Sequence, residues 1–174
     1  PTQIQFVDIA GLVKGASKGE GLGNKFLSHI KEVDAIIHVL RCFENSEITH
    51  VNDLVNPIND VEIIETELML ADISSLEKQM ENLKKKIRGT NPEFKNISKF
   101  IEILITHLSD GKKVNSLKIN TLEDKKLLKS LHLLTSKPQL YVCNVSEEDI
   151  INGNHFTDDI KNKYHNNNSK VILI

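Results

Sequence analysis

One stretch near the start of the chain has residue types and spacing that suit chemistry on a phosphate. Asp8-Ile9-Ala10-Gly11 opens a run to Asn24 that holds five glycines: Gly11, Gly15, Gly19, Gly21 and Gly23. It follows an apolar alternation, Ile4, Phe6, Val7 and Ile9, that reads as a buried strand. A carboxylate at the end of such a strand can hold a metal-bound water. The Gly11 N–H can approach a terminal phosphate because no side chain blocks it. The glycines let the segment change shape when that phosphate leaves. Together these are the parts of a phosphate sensor.

The elements that must position it follow from periodicity. Leu22, Phe26, Leu27 and Ile30 have helical spacing, so a short helix follows the glycine-rich run. Ala35 to Leu40 reads as a fully buried strand with one polar residue, His38, expected to be a satisfied core or edge histidine. Pro57 followed by Asp60, Glu62, Glu65 and Glu67 suits the first turns of a helix. Met69, Ile73, Leu76, Met80, Leu83 and Ile87 then repeat in steps of four and three, a heptad seam. Gly89-Thr90-Asn91-Pro92 breaks it. Phe94, Ile97, Ile101, Leu104 and Leu108 form a second seam. The two predict an antiparallel helical hairpin. Thr121-Leu122-Glu123-Asp124 reads as a capping box, opening a helix with Leu127, Leu128, Leu131 and Leu134 inward and Pro138 as its stop. Gln139 to Cys143 and Val171 to Ile174 read as strands, with a helix over Phe156 to Tyr164 between them. The order predicts an α/β protein with a mostly parallel sheet, interrupted by a helical hairpin (coiled coil). The predicted division is 1–67 and 119–174 for the sheet domain and 68–118 for the hairpin.

Composition narrows the class. The chain has 174 residues, 39% hydrophobic and 26% charged, with a net charge of −2. That is ordinary for a globular domain, and it supplies no global argument for nucleic acid. No apolar run is long enough to span a bilayer, and no signal-peptide pattern is present. Cys42 and Cys143 lack metal-site spacing and read as small buried hydrophobes, so cytoplasm is the expected compartment. The chain opens on Pro1 and closes on Val171-Ile172-Leu173-Ile174, and both ends read as cut.

The string from Asp8 to Asn24 resembles switch II of the Obg-like ATPase (YchF) branch of P-loop NTPases. Arg41-Cys42-Phe43-Glu44-Asn45, the run from Asn56-Pro57 to Glu67-Leu68, and Asn144-Val145-Ser146-Glu147 resemble the same family in the same order. The resemblance covers essentially the whole chain. It implies that Asp8 acts through water on Mg²⁺ and that the Gly11 N–H contacts the γ-phosphate. Signalling GTPases place Gln at the next position to orient the attacking water. Leu12 stands there and cannot hydrogen-bond water. Lys14, Gly15, Ser17, Gly21 and Asn24 complete the implied switch, with Lys14, Ser17, Lys18, Glu20 and Asn24 as candidates for part of the missing role. The phosphate cradle G-x-x-x-x-G-K-S/T is absent from these residues. The family carries it upstream, and a TGS domain downstream. These residues alone are expected to be inactive and to bind nucleotide weakly.

Asn144-Val145-Ser146-Glu147 occupies the place of the GTPase base reader N-K-x-D. Val145 replaces the Lys whose stem covers the ring. Glu147 replaces the Asp that accepts two hydrogen bonds from guanine. Glu is one methylene longer, so that pairing is misplaced and adenine is no longer excluded. The resemblance implies ATP preference, with main-chain groups near Val145 reading the adenine amine. It further implies hydrolysis of ATP with Mg²⁺ by a translation-associated factor that contacts ribosomes. The alternatives are an Obg-type GTPase and a non-catalytic module docking through the hairpin. Lys84, Lys85, Lys86, Arg88, Lys95 and Lys99 at the hairpin tip, with Lys112 and Lys113 at its other end, could meet RNA phosphates or simply form a solvated face. No aromatic interleaving supports sequence-specific RNA reading, and neither membrane nor sequence-specific DNA is an expected partner. The acidic run Asp53, Asp60, Glu62, Glu65, Glu67 is expected to be helix N-terminal charge without metal spacing.

Overall fold

The computed structural model describes residues 3–8, 22–44, 55–86, 92–165 and 169–174, and the side chains of 22–26, 86, 92 and 93 fall outside that description. Its elements run α1 (Leu22–Glu32), β1 (Ile36–Arg41), α2 (Pro57–Lys86), α3 (Pro92–Ser109), α4 (Leu122–Leu131), β2 (Gln139–Asn144), α5 (His155–Tyr164) and β3 (Ser169–Leu173). Single 3-10 turns sit at Val114–Ser116, Leu134–Ser136 and Glu147–Asp149. The strands form one parallel sheet in the order β1-β2-β3. Arg41 pairs with Asn144 and Cys143 with Leu173, so all three carboxyl ends reach one edge. Parallel strands joined through helices are the α/β arrangement that the alternating pattern requires. Among the described residues no helix is long and apolar enough to cross a membrane.

Helix α2 organises the packing. Asn56 caps it, its Oδ1 accepting from Asn59 N at 3.0 Å, and Pro57 takes the first helical position, where no N–H is needed. Near its start Val61 packs with Leu40, Cys42, Tyr141, Cys143 and Ile160 on one face of the sheet. Midway, Leu68 packs with Leu27 and Ile30 of α1 and with Leu134. Beyond that, Leu76 and Met80 join Phe100, Ile101, Leu104 and Leu108 of α3, with Met69, Ile73, Leu83 and Ile97 around them. The two heptad seams therefore meet, with Ile87 outside the described residues. Each fully buried Leu there is worth roughly 1.5–3 kcal/mol. Leu127, Leu128 and Leu131 of α4 pack into this same cluster. Thr121 caps α4, accepting from Asp124 N at 3.0 Å. Gly111, at φ 74, ends α3 with its N–H on Leu108 O, a turn that a side chain would strain.

Polar side chains tie the helical part to the sheet. Lys113, just past α3, extends its ammonium to Glu65 (2.5 Å), Gln139 (2.6 Å) and Tyr141 Oη (3.0 Å), one partner for each of its three hydrogens. Tyr141 Oη donates to Glu65 at 2.7 Å. Burial first, then the Glu65 charge, pushes the Tyr141 phenol far above its ordinary range. His38 stacks on Tyr141 with centroids 5.0 Å apart. Burial lowers the imidazole to about 4, with Glu65 opposing and Lys113 reinforcing. Asp72 of α2 accepts from Leu134 N, Thr135 N and Thr135 Oγ1 at 2.7–2.8 Å, which fixes the turn before β2.

Several expectations need correction. Residues 3–8, expected as a strand from Ile4, have no regular structure, and Ile4 and Phe6 are about three-quarters exposed, 75% and 76%. An apolar alternation becomes a strand only where a neighbour accepts its backbone hydrogen bonds, and none of the three strands pairs with this segment. Ile9 lies outside the described residues. β1 is buried on one face only: His38 and Leu40 are covered, whereas Ile37 and Val39 are exposed. His38 is a core histidine, but its Nε2 has no hydrogen-bond partner among the described residues. α4 ends at His132 in the left-handed conformation (φ 49), ahead of Pro138, and Leu134 belongs to a different cluster. Glu65 and Glu67 are buried, not helix-end surface charge, and Lys113 is engaged with Glu65 and unavailable to RNA.

Candidate functional site

The segment expected to read the base, Asn144 to Glu147, leaves the carboxyl edge of the sheet, where ligands bind in open parallel sheets. β2 delivers Asn144 to that edge. Its carbonyl accepts from Cys42 N at 2.8 Å, beyond the end of β1. Val145 N donates to Ile174 O at 3.1 Å beyond the end of β3, and the Val145 side chain packs against the sheet core. The loop is thus anchored to both neighbouring strands. From there Asn144 and Glu147 are exposed, while Val145 is half-buried. An exposed amide and carboxylate flanking a fixed main-chain segment can hydrogen-bond a planar base approaching from solvent.

The far side of the loop is closed by polar contacts. Glu147–Asp149 forms a 3-10 turn, with Asp149 N on Ser146 O at 3.0 Å. Ser146 Oγ donates to Asp149 Oδ2 at 2.9 Å. Asn154 Nδ2 donates to the same Oδ2 and to Cys42 O, each at 2.8 Å. The Asn154 bond first, then that from Ser146, holds the Asp149 carboxyl below its usual range. Asn154 also caps α5, its Oδ1 accepting from Thr157 N at 3.2 Å while its own N–H donates to Thr157 Oγ1 at 2.9 Å. Gly153, at φ 74, makes the turn, and a Cβ there would run into Thr157 Oγ1.

The structure therefore brings Asn144, Val145 and Glu147 together at one edge. Asp8 lies in the irregular segment 3–8 with its side chain exposed. Gly11, Leu12, Lys14, Gly15, Ser17 and Gly21 lie outside the described residues. The backbone of Asn24 is in α1, and its side chain is outside the description. Among the described residues no group of three His, Cys, Asp or Glu could hold a metal ion. Asp8 fits a water-mediated contact to a cation carried by phosphates, as Mg²⁺ commonly is, better than it fits a protein cage. Asp149 and Asn154 escaped the motif reading. The Asn-x-x-Thr spacing of Asn154 and Thr157 signals a helix cap, but nothing local signals the bond to Cys42. A groove of about 450 Å³ is lined by α3 residues such as Ile103 and Thr106 and by Leu117, and by none from the loop.

Comparison with known proteins bears on this site. Residues 1–66 match a family model described as a 50S ribosome-binding GTPase. The chain is 47% identical over 180 residues to the ribosome-binding ATPase YchF of Bacillus subtilis (strain 168), covering 100% of this chain and 48% of that protein. It is 44% identical over 161 residues to the ribosome-binding ATPase YchF of Escherichia coli O157:H7, covering 92% and 44%. The solved structure of the Schizosaccharomyces pombe YchF GTPase superposes with TM-score 0.76 at 38% identity, over 94% of this chain and 46% of that one. The chain spans about half the length of the curated relatives it matches.

Proposed function

We propose, starting from the fact that this chain belongs to the YchF family, that the intact protein binds ATP with Mg²⁺, hydrolyses it to ADP and phosphate, and acts on the ribosome in the cytoplasm. The observation that carries the base choice is the loop at the carboxyl end of β2, where Val145 and Glu147 replace the Lys and Asp of a guanine reader and Glu147 is exposed. With guanine bound, the Glu147 carboxylate would pair poorly with N1–H and the N2 amine. Adenine presents no such donors, and its amine can use a main-chain carbonyl near Val145. Sites that read by hydrogen bonds discriminate by leaving polar groups unpaired in the wrong complex. Asn144 would brace the base. Asp8 would hold the Mg²⁺ through water, and Gly11 would contact the γ-phosphate. Held there, Mg²⁺ would supply neutralisation of the charge developing on the phosphates. Leu12, unable to orient water, leaves that step to one of Lys14, Ser17, Lys18, Glu20 and Asn24 or to a conformational change.

Competition binding of ATP and GTP to the intact protein tests this. ATP should be preferred by roughly five- to a hundredfold, the worth of two lost hydrogen bonds. Glu147→Asp should move the ratio toward GTP, and Glu147→Asp with Val145→Lys should move it further. GTP preference in the unmodified protein would support the Obg-type GTPase alternative.

The nucleotide domain in this reading is 1–67 with 119–174, and the hairpin 68–118 is an insertion. α2 crosses the first boundary unbroken, and α4 packs on the hairpin, so this boundary is one of role and not of core. A ribosome contact through the hairpin is favoured by Lys84, Lys85, Lys95 and Lys99, all exposed near the α2–α3 turn. Pelleting with ribosomes at rising salt, with and without Lys→Gln changes at these positions, checks it. Loss of pelleting only with the changes supports the contact.

A further inference from the structure

We propose that Asn154 is the positioning residue of the base loop, and that Asp149 is its counterpart within the loop. The proposal rests on the base-reading role given to Asn144–Glu147 above. The argument begins with residue type. A helix N-cap needs only an acceptor, and Ser, Thr or Asp would serve α5 as well as Asn. The Oδ1 of Asn154 does that work, on Thr157 N. The amide's donor half does nothing for α5. Both of its hydrogens point away from the helix, one to Cys42 O and one to Asp149 Oδ2, each at 2.8 Å. Asn is the N-cap residue that can accept for a helix and also donate twice elsewhere.

Those two bonds join three separate parts of the chain: the end of β1, the base loop and the start of α5. Asp149 Oδ2 passes the constraint inward, because it also receives Ser146 Oγ. Ser146 lies between Val145 and Glu147. The near side of the loop is fixed to the strands by the Cys42–Asn144 and Val145–Ile174 bonds. Without Asn154 the far side, which carries Glu147, would be held by the Ser146–Asp149 contact, the short turn and the Gly153 N–Asp149 O bond (2.7 Å), and would lose both of its side-chain links to β1 and α5. Reading a base by hydrogen bonds demands placement to a fraction of an ångström, so loosening this side should blur the choice between bases before it abolishes binding.

The test uses full-length protein and four forms: unmodified, Asn154→Asp, Asp149→Ala, and Asn154→Asp with Asp149→Asn. Asn154→Asp keeps the acceptor that caps α5 but removes both donors and sets two carboxylates together. Asp149→Ala reaches the same brace without touching the cap. The exchanged pair returns a donor at 149 to an acceptor at 154. ATP and GTP dissociation constants should show the ATP:GTP preference eroded about three- to tenfold by either single change, the worth of one or two hydrogen bonds, and partly restored in the exchanged pair, which regains the 149–154 bond but not the donor to Cys42 O. Amide hydrogen exchange without nucleotide should quicken across 145–149 while α5 stays protected. An unchanged preference in both single variants, where the unmodified protein prefers ATP, would overturn the brace and leave the base reading intact. Equal loss of protection in loop and α5 would reduce Asn154 to a cap and overturn it too. An unmodified protein without ATP preference would sink the base reading separately. Asn154 would then stand only if its variants still erode whichever preference is measured.

Discussion

The two ends of β2 are held in opposite ways. At Gln139 and Tyr141 the strand is joined to the helical part by a largely buried ion pair, half-buried Lys113 with buried Glu65, beside the rings of Tyr141 and Tyr164. At Asn144 the strand gives way to a loop held by hydrogen bonds among exposed or half-buried groups, Ser146, Asp149 and Asn154. A buried charge cannot lose its partner without stranding the other, so the first end has one arrangement. Half-buried polar groups lose less when water replaces a partner, so the second end adds little to global stability while its bonds fix where the loop sits. The difference teaches where this fold keeps stability and where it keeps specificity.

The largest test of that contrast removes the ion at the buried end. Lys113→Met should cost roughly 3–5 kcal/mol, because it leaves Glu65 buried without its cation. Denaturant titration would read it, and a loss under 1 kcal/mol would mean that water already reaches Glu65. Asp72→Ala should come next, at about 2–4 kcal/mol, since Leu134 N and Thr135 N lose their acceptor in a buried turn. Its measurement is the same titration, with retained helix content by circular dichroism showing that only the link has gone.

Acid sharpens the comparison further. His38 is lowered to about 4, against an ordinary 6.5. A group whose folded value is depressed takes its proton more readily in the unfolded chain. The stability it lends is present above about 6.5 and is lost as pH falls toward 4. By pH 5 the loss is about 2 kcal/mol. His38→Phe, which keeps the stack on Tyr141, should flatten that part of the stability–pH curve, and an unchanged slope between pH 6.5 and 4 would exclude His38 as its source. The smallest expected effect is at the other end of β2. Asn154→Asp should change global stability by about 1 kcal/mol, because the cap survives and the lost bonds are only half-buried. Its signature is the nucleotide ratio.

The sequence was most legible where a residue's partners repeat along the chain. The seams of α2 and α3 announce themselves because each apolar residue has another three or four positions away. The later strands were legible from apolar runs bounded by turn residues. The loop proposed to read the base was singled out from N-x-x-E after a strand, and the structure puts that segment at the carboxyl end of β2. What escaped notice has partners far off in sequence. Glu65 looks like any acidic residue in the early turns of a helix until Lys113, 48 positions on, is brought to it. Asn154 looks like an ordinary cap, since Cys42 is 112 positions back. The segment 3–8 fails in the reverse sense. Its local pattern is that of a strand, but a strand is a relation between two segments, and no pattern within one of them establishes the other.

The unbroken run of α2 has a mechanical consequence. It has 30 residues, about 45 Å at 1.5 Å per residue, so a tilt of about 5° at its first turns sweeps its far end through about 4 Å. Those first turns lie against β1, β2 and α5, and the far end carries Lys84 and Lys85. The helix is a lever arm whose short side rests on the sheet. A displacement too small to disturb the packing around Val61 becomes, at the tip, a distance large enough to make or break a contact.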